Sequence, residues 1–261
     1  MENGAGTSVF TISSALPFPL RRLMSDAEAS SAAAAPQYVL REARPSDEGE
    51  LALLYAAALD YNPAFDAVFE LRRDSPAAHA AALTWLFHRR VALLFASRAT
   101  YLVAVDERTG ALLAGAAIVP RAAKAGLWDM LRVGLLEWPF RFGLPSLIRA
   151  LQKDTLPEDP PGAVPFEGLV STVAVAPQAQ GRGVGSAVMR ALLRRWDAAG
   201  GGPLVLDTQR DRNVPFYQHL GFVVTNTVTA AGAHGEEYLD WKMRREAPTL
   251  PPASPHADVA P

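Results

Sequence analysis

The chain has 261 residues, 25 Lys and Arg against 27 Asp and Glu, and a formal net charge of −2. With 49% of its residues hydrophobic it can bury a substantial core, as one large domain or two small ones. The near-neutral balance gives no broad electrostatic footprint for nucleic acid or an anionic membrane, and the lack of cysteine excludes disulfides, thiolate metal sites and a cysteine acyl-enzyme.

Residues 1–36 read as a disordered tail, rich in Ser and Ala and closing on "SSAAAAP". A secretory signal puts its charges before its apolar run, whereas "VFTISSALPFPL" precedes Arg21 and Arg22. An organelle transit peptide is the competing reading; Glu2, Asp26 and Glu28 count against it, so a cytoplasmic location is expected. The Pro-rich end, 246–261, also reads as a disordered tail. A single domain over 37–245 remains, with no internal repeat.

"YVLREARPSDEGELALLYAAAL" predicts a short strand, a turn and a helix. Ser46 or Asp47 is the expected N-cap, and Leu51, Leu54, Tyr55 and Ala58 recur at helical spacing. A second helix is expected from about Ser75 to Phe95, opened by "SPAA". "TYLVAVDERTGALLAGAAIVP" reads as a hairpin with Gly110 in its turn. An apolar insert, 124–153, follows. Charges interrupt it, and Pro139 and Pro145 would break a helix, so it predicts one or two buried or half-buried helices and no stable membrane insertion. The remainder alternates: strand "EGLVSTVAV", helix 183–199, strand "PLVLDT", helix 212–219, then an antiparallel pair from "GFVVTNTV" and "EEYLDWKMR". The class is α/β (α+β), with helices on a mixed sheet.

Gly181, Gly183 and Gly185 alternate directly before an apolar-periodic helix. Glycine permits positive φ and close backbone approach. The first amides of a helix lack internal partners and sit at the positive end of its dipole. Strand, glycine turn and helix start together make an anion site, most often for phosphates, and Arg182 adds a cation. A P-loop needs Gly-Lys-Ser/Thr, and "GVGSAV" has no Lys. A dinucleotide turn wants a third glycine where Ser186 stands, although Asp207 lies about twenty positions on, as that motif expects.

"VAVAPQAQGRGVGSAVMRALL" resembles the coenzyme A loop of the GCN5-related N-acetyltransferases, Gln/Arg-x-x-Gly-x-Gly/Ala after a strand ending in Val-x-Pro. Gln180, Gly183 and Gly185 match the pattern, and Ala174 to Pro177 precede it. "RNVPFYQHLGF" is similar to that family's Asn-x-x-x-x-Phe-Tyr-x-x-x-Gly-Phe element, with the Asn slightly closer here. "PSDEGELALLY" and "YLDWKMRR" look like its first helix and last strand, so the resemblance covers 38–244. It implies a GNAT fold, with a mixed, mostly antiparallel central sheet of six to seven strands, flanked by helices and splayed between the two central strands. It implies acetyl-coenzyme A as co-substrate and an amine of a small molecule or peptide as acceptor. The pantetheine arm would pair with the strand edge at Val173, Ala174 and Val175. The diphosphate would rest on amides from Gly181 to Ser186, Arg182 and Val184 included. Asn213, Phe216 and Tyr217 would flank the cofactor from the other side.

An amine attacking a thioester needs a base, oxyanion donors and an acid for the departing thiolate. The resemblance makes Tyr217 the acid; the competing structural reading is a core tyrosine beside Phe216 and Phe222. It makes the Val175 amide an oxyanion donor. Glu167 and Asp207 are the base candidates, with water as a third route. The family often shows a His-x-Tyr-Leu pattern where this chain has "PFEGLV". A coenzyme A-binding module without catalysis, serving as sensor or scaffold, stays open beside the enzyme, and a dinucleotide-binding oxidoreductase behind both. The acceptor side is expected at Tyr61, Phe65, Asp66 and Glu70. The insert either caps it, through Trp128, Trp138, Phe140 and Phe142, or serves a homodimer or core extension. His79 and His88 are nine apart on one helix and face nearly opposite ways, so no metal site is predicted.

Overall fold

The alternating segments of the sequence pair into one sheet. A computed structural model describes residues 37–71, 75–123, 126–153, 159–232 and 235–248; the tails expected at 1–36 and beyond 248 lie outside the described residues. Strands β1 (Tyr38–Glu42), β2 (Thr100–Asp106), β3 (Leu112–Pro120), β4 (Gly168–Val175), β5 (Leu204–Thr208), β6 (Val223–Ala231) and β7 (Glu237–Arg245) lie in the order β1-β2-β3-β4-β5-β7-β6. Only the central β4–β5 pair is parallel. Helices α1 (Glu48–Ala58), α2 (Pro63–Phe69), α3 (Pro76–Ala96), α4 (Leu127–Arg132), α5 (Trp138–Lys153), α6 (Val184–Ala198) and α7 (Asn213–Gln218) accompany it.

β2 and the first seven residues of β3 are almost wholly buried, and a strand buried on both faces needs cover on both. On one side α1 packs against β3 and β4 and is itself backed by α3; α6 packs against β2, β3 and β4. The periodic residues read from the sequence supply this core: Leu51 and Tyr55 from α1, Leu83 and Val91 from α3, Val188 and Leu192 from α6 are all at most 1% exposed. Among the described residues no helix is long and apolar enough to cross a membrane.

The helix starts follow local chemistry. Ser75 Oγ accepts the Ala78 amide, and Pro76 occupies the first helical position of α3, where no amide bond is lost. Asp47 precedes α1, but its carboxylate does not cap that helix. It accepts the Arg44 amide at 2.7 Å and two bonds from the Arg41 guanidinium at 2.7 and 3.0 Å. That bonding to Arg41 holds the Asp47 carboxyl below its ordinary value. His79 is fully buried, with Nε2 3.2 Å from Asp66, while His88 faces Glu48 at 3.7 Å.

The sheet is open at its centre. β4 and β5 pair only at Gly168–Leu204 and Leu169–Val205, then part. On its other edge β4 carries a bulge: Ala174 opposes Gly115 and Ser171 opposes Ala117, so Thr172 and Val173 share one partner position. Thr172 takes φ = +54°, a left-handed conformation unusual for a β-branched residue.

The insert differs from its expectation. It holds helices, but Trp128 is 82% and Phe140 92% exposed, and Leu127, Leu144 and Leu151 are exposed as well. Pro139 does not break α5, because it lies in the first turn. The break comes at Gly143 (φ 81°, ψ 157°), and Pro145 starts the next turn. Trp138 and Phe142 anchor the segment: Trp138 stacks on Phe69 at 5.4 Å, and both meet Trp85 edge-on. This aromatic cluster ties α5 to α2 and α3.

Candidate active site

Where β4 and β5 part, two cavities open and share a wall. Their volumes are about 570 and 120 Å³, and Leu59, Asn62, Val173, Asn213 and Tyr217 face both.

The glycine loop builds the larger one. Gly181 and Gly183 take φ of +74° and +78°, which lets the chain turn abruptly from β4 into α6. Gly183 is the N-cap, and the Ala187 amide bonds back to its carbonyl at 3.0 Å. The amides of Val184, Gly185 and Ser186 precede any helical acceptor, sit at the positive end of the dipole, and belong to residues of the cavity wall. Gly185 lies so close to β4 that a Cβ there would stand 2.7 Å from Val175 Cγ2. Gln180 Nε2 donates to the Val175 carbonyl at 3.1 Å and ties loop to strand. Arg210 and Arg212 line this cavity; Arg182, the cation expected here, is exposed and does not. Unpaired amides, two arginines and a groove of this size fit the diphosphate and arm of a nucleotide thioester.

The open strand edge adds backbone groups. The Ala176 amide donates to Leu113 at 2.8 Å, and Ala174 stands opposite Gly115. Main-chain groups alternate between the two edges of a strand, so the Val175 amide faces the side from which β5 has diverged.

The smaller cavity is organised around Asp207 at the end of β5. Gln209 Nε2 donates to Asp207 Oδ2 at 2.6 Å and to Asp240 Oδ1 at 2.8 Å, and its Oε1 accepts from Asn62 Nδ2 at 3.0 Å. Asn62 is also the N-cap of α2, accepting the Ala64 amide at 2.9 Å, and Lys242 Nζ pairs with Asp240 at 2.8 Å. All of these partners are buried, so the network holds Asp207 through its Oδ2. Tyr217 sits on α7 with its ring beside Phe216 and Phe222 at 5.0 and 6.1 Å. Burial, and after it the charge of Asp207, push its phenol well above its ordinary value. Its ring is core and yet it lines both cavities, so the two sequence readings of this tyrosine describe one residue. Asn213 Nδ2 donates to Thr208 Oγ1 at 3.0 Å and fixes α7 to β5.

Glu167 does not join this group. It precedes β4 at the end where β4 and β5 are still paired, and its carboxylate accepts the Gly202 amide at 2.9 Å in the turn before β5. A strand-start position put it at the closed end of the splay, whereas Asp207 lies at the open end. Of the residues expected on the acceptor side, Phe65 lines the small cavity, Tyr61 is 67% exposed, Asp66 meets His79, and Glu70 holds Arg149 at 3.0 Å. None of the four insert aromatics lines either cavity; Lys153 does. Asn62, Gln209 and Asp240 escaped the sequence reading. The cap "NPAF" was a visible signal for the first, but nothing local marks the other two, which meet only through the β5–β7 pairing. Among the described residues no group of three or more His, Asp and Glu can hold a metal.

A family model described as an acetyltransferase (GNAT) domain matches residues 155–224, the span that holds β4, the glycine loop and the Tyr217 helix. Over that span the chain is similar to GNAT acetyltransferase domains. Two solved structures share its fold. One is the histone acetyltransferase HPA2 and related acetyltransferase from Corynebacterium glutamicum, 21% identical, TM-score 0.54, with 83% of this chain and 99% of that chain covered. The other is a GNAT superfamily phosphinothricin acetyltransferase from Sinorhizobium meliloti in complex with acetyl-coenzyme A, 18% identical, TM-score 0.50, with 86% and 96% covered.

Proposed function

We propose that the protein is an N-acetyltransferase that moves the acetyl group of acetyl-coenzyme A to an amine of a small molecule or peptide by direct attack. The observation that carries this is the shared wall: Tyr217, Asn213 and Val173 stand between a cavity ending on free helix amides and one holding an oriented carboxylate. Acetyl-coenzyme A supplies an activated thioester. The amides of Gly181 to Ser186, with Arg210 and Arg212, hold its diphosphate, and the β4 edge from Val173 to Val175 takes its arm as an added strand. The Val175 amide donates to the oxygen that gains charge. Asp207 takes the proton of the incoming ammonium, and Tyr217, protonated across the neutral range, gives one to the leaving sulfur.

The competing reading is a coenzyme A-binding sensor or scaffold without catalysis. The test is thiol release from acetyl-coenzyme A over a panel of amines, beside calorimetry for binding. Turnover with at least one amine is expected. Tight binding with no release for any acceptor would replace the enzyme by the binding module. The exposed Phe140, Leu144 and Leu151 of α5 support a homodimer as part of the same reading. Sedimentation of wild type against Phe140→Glu tests it, and an unchanged monomer in both removes it. Its expected place is the cytoplasm, where fractionation would find it.

A further inference from the structure

The small cavity has an imbalance of charge that the acetyl-transfer chemistry does not use. Asp207 is the only carboxylate among the described residues that line it, and Gln209 already holds one of its oxygens. Facing the same space are two cations, Arg90 from α3 and Lys153 from α5. Both are half-buried, and neither makes an ion pair among the described residues. Their neighbours behave otherwise. Arg89 reaches Glu137 at 3.5 Å, and Arg149 reaches Glu70 at 3.0 Å. Among the described residues, Lys153 rests over the Phe65 ring at 5.3 Å. Removing two cations partly from water without a counter-charge is unfavourable. A ligand that brings the anion would balance them.

The walls divide the roles. The cations come from the helical side and the carboxylate from the strand side, beside Tyr217 and the thioester end of the larger cavity. The volume, about 120 Å³, is well below that of a drug-sized site, which suits a small molecule. We propose that the acceptor is a small amino acid-like molecule: its amine faces Asp207, and its acid group, a carboxylate or a phosphorus acid, is held by Arg90 and Lys153. This rests on the acetyl-transfer reading above and adds the substrate class to it. It also gives the insert a role, since α5 brings Lys153 to the acceptor instead of an aromatic lid.

Matched acceptors test it: amino acids of increasing chain length and aminoalkyl phosphonates, each beside its uncharged amide or ester, assayed by thiol release. Acid acceptors should exceed their neutral counterparts in kcat/KM by about 10- to 100-fold, the effect of one charge-assisted contact. Arg90→Gln and Lys153→Gln should each raise KM for the acid member while kcat changes little, drawing the acid-to-neutral ratio toward one. Calorimetric affinity for acetyl-coenzyme A serves as the folding control. Carboxylate and phosphonate arms show which acid is preferred. Neutral or cationic amines used as well as acids, or variants that slow both members of a pair alike, would overturn the anion site and leave acetyl transfer standing. No turnover with any acceptor would instead remove the reading on which it rests.

Discussion

Replacing Gly185 by alanine tests the geometry on which cofactor binding depends. The new Cβ would sit 2.7 Å from Val175 Cγ2, about 0.7 Å inside ordinary carbon contact. Val175 has a stiff, β-branched side chain, so the start of α6 must move off β4. Overpacking of this kind costs about 1–3 kcal/mol, and alanine's better helix propensity returns about 1. The net loss of stability is therefore small. The loss of binding is larger: displacing one amide from a diphosphate oxygen forfeits about 1.5–3 kcal/mol, a 10- to 100-fold rise in Kd for acetyl-coenzyme A. Calorimetry on four proteins reads it: wild type, Gly185→Ala, Val175→Ala and the double variant. Val175→Ala removes the obstructing methyl, so the double variant should recover most of the affinity. Wild-type affinity in Gly185→Ala, or no recovery in the double variant, would refute the account of a helix start seated by close packing on β4.

Tyr217→Phe should lower kcat by about 10²- to 10⁴-fold while leaving acetyl-coenzyme A affinity and melting temperature nearly unchanged. Because burial and Asp207 raise the phenol pKa, the protonated donor persists above its ordinary value; the loss should be constant from pH 6 to 9 in stopped assays. Asp207→Asn should cost at least about tenfold in kcat/KM, and Glu167→Gln, whose partner is the Gly202 amide, should cost little; the reverse order would return Glu167 as the base. Asp47→Asn should destabilise by about 1–2 kcal/mol, a fall of several degrees in Tm at pH 7. The folded carboxyl is held below its unfolded value, so this contribution is present above about pH 4 and fades as pH falls through the lower folded value. Thermal melts from pH 7 to 3 should show the gap between wild type and variant closing.

The chain's local regularities were enough for most of its elements, though not for α2. Strand-like apolar runs marked the strands, helical spacing marked α1 and α6, the SPAA opening marked α3, and Gly110 marked the hairpin turn. The cofactor side was legible for a related reason. A strand end, a glycine turn and a helix start are contiguous in sequence, so an anion cradle built from backbone amides can be read along one stretch, Gln180 to Ser186. The side chains there were less legible, since whether a loop side chain faces groove or solvent depends on the elements around it: Arg182 is exposed, and Arg210 and Arg212 line the groove.

The lining of the small cavity was decided by tertiary structure. Asn62, Arg90, Lys153, Asp207, Gln209 and Asp240 come from four secondary-structure elements and two adjoining loops, and no single spacing along the chain relates them. Only the parting of β4 from β5 separates an Asp207 that faces the cavity from a Glu167 that ties down a turn. Sequence by itself determined which segments are helix or strand and where a phosphate could rest, because those follow from nearest-neighbour backbone chemistry. Which carboxylate lines the small cavity, and which cations face it there, follow from packing between distant segments, and that was written only in three dimensions.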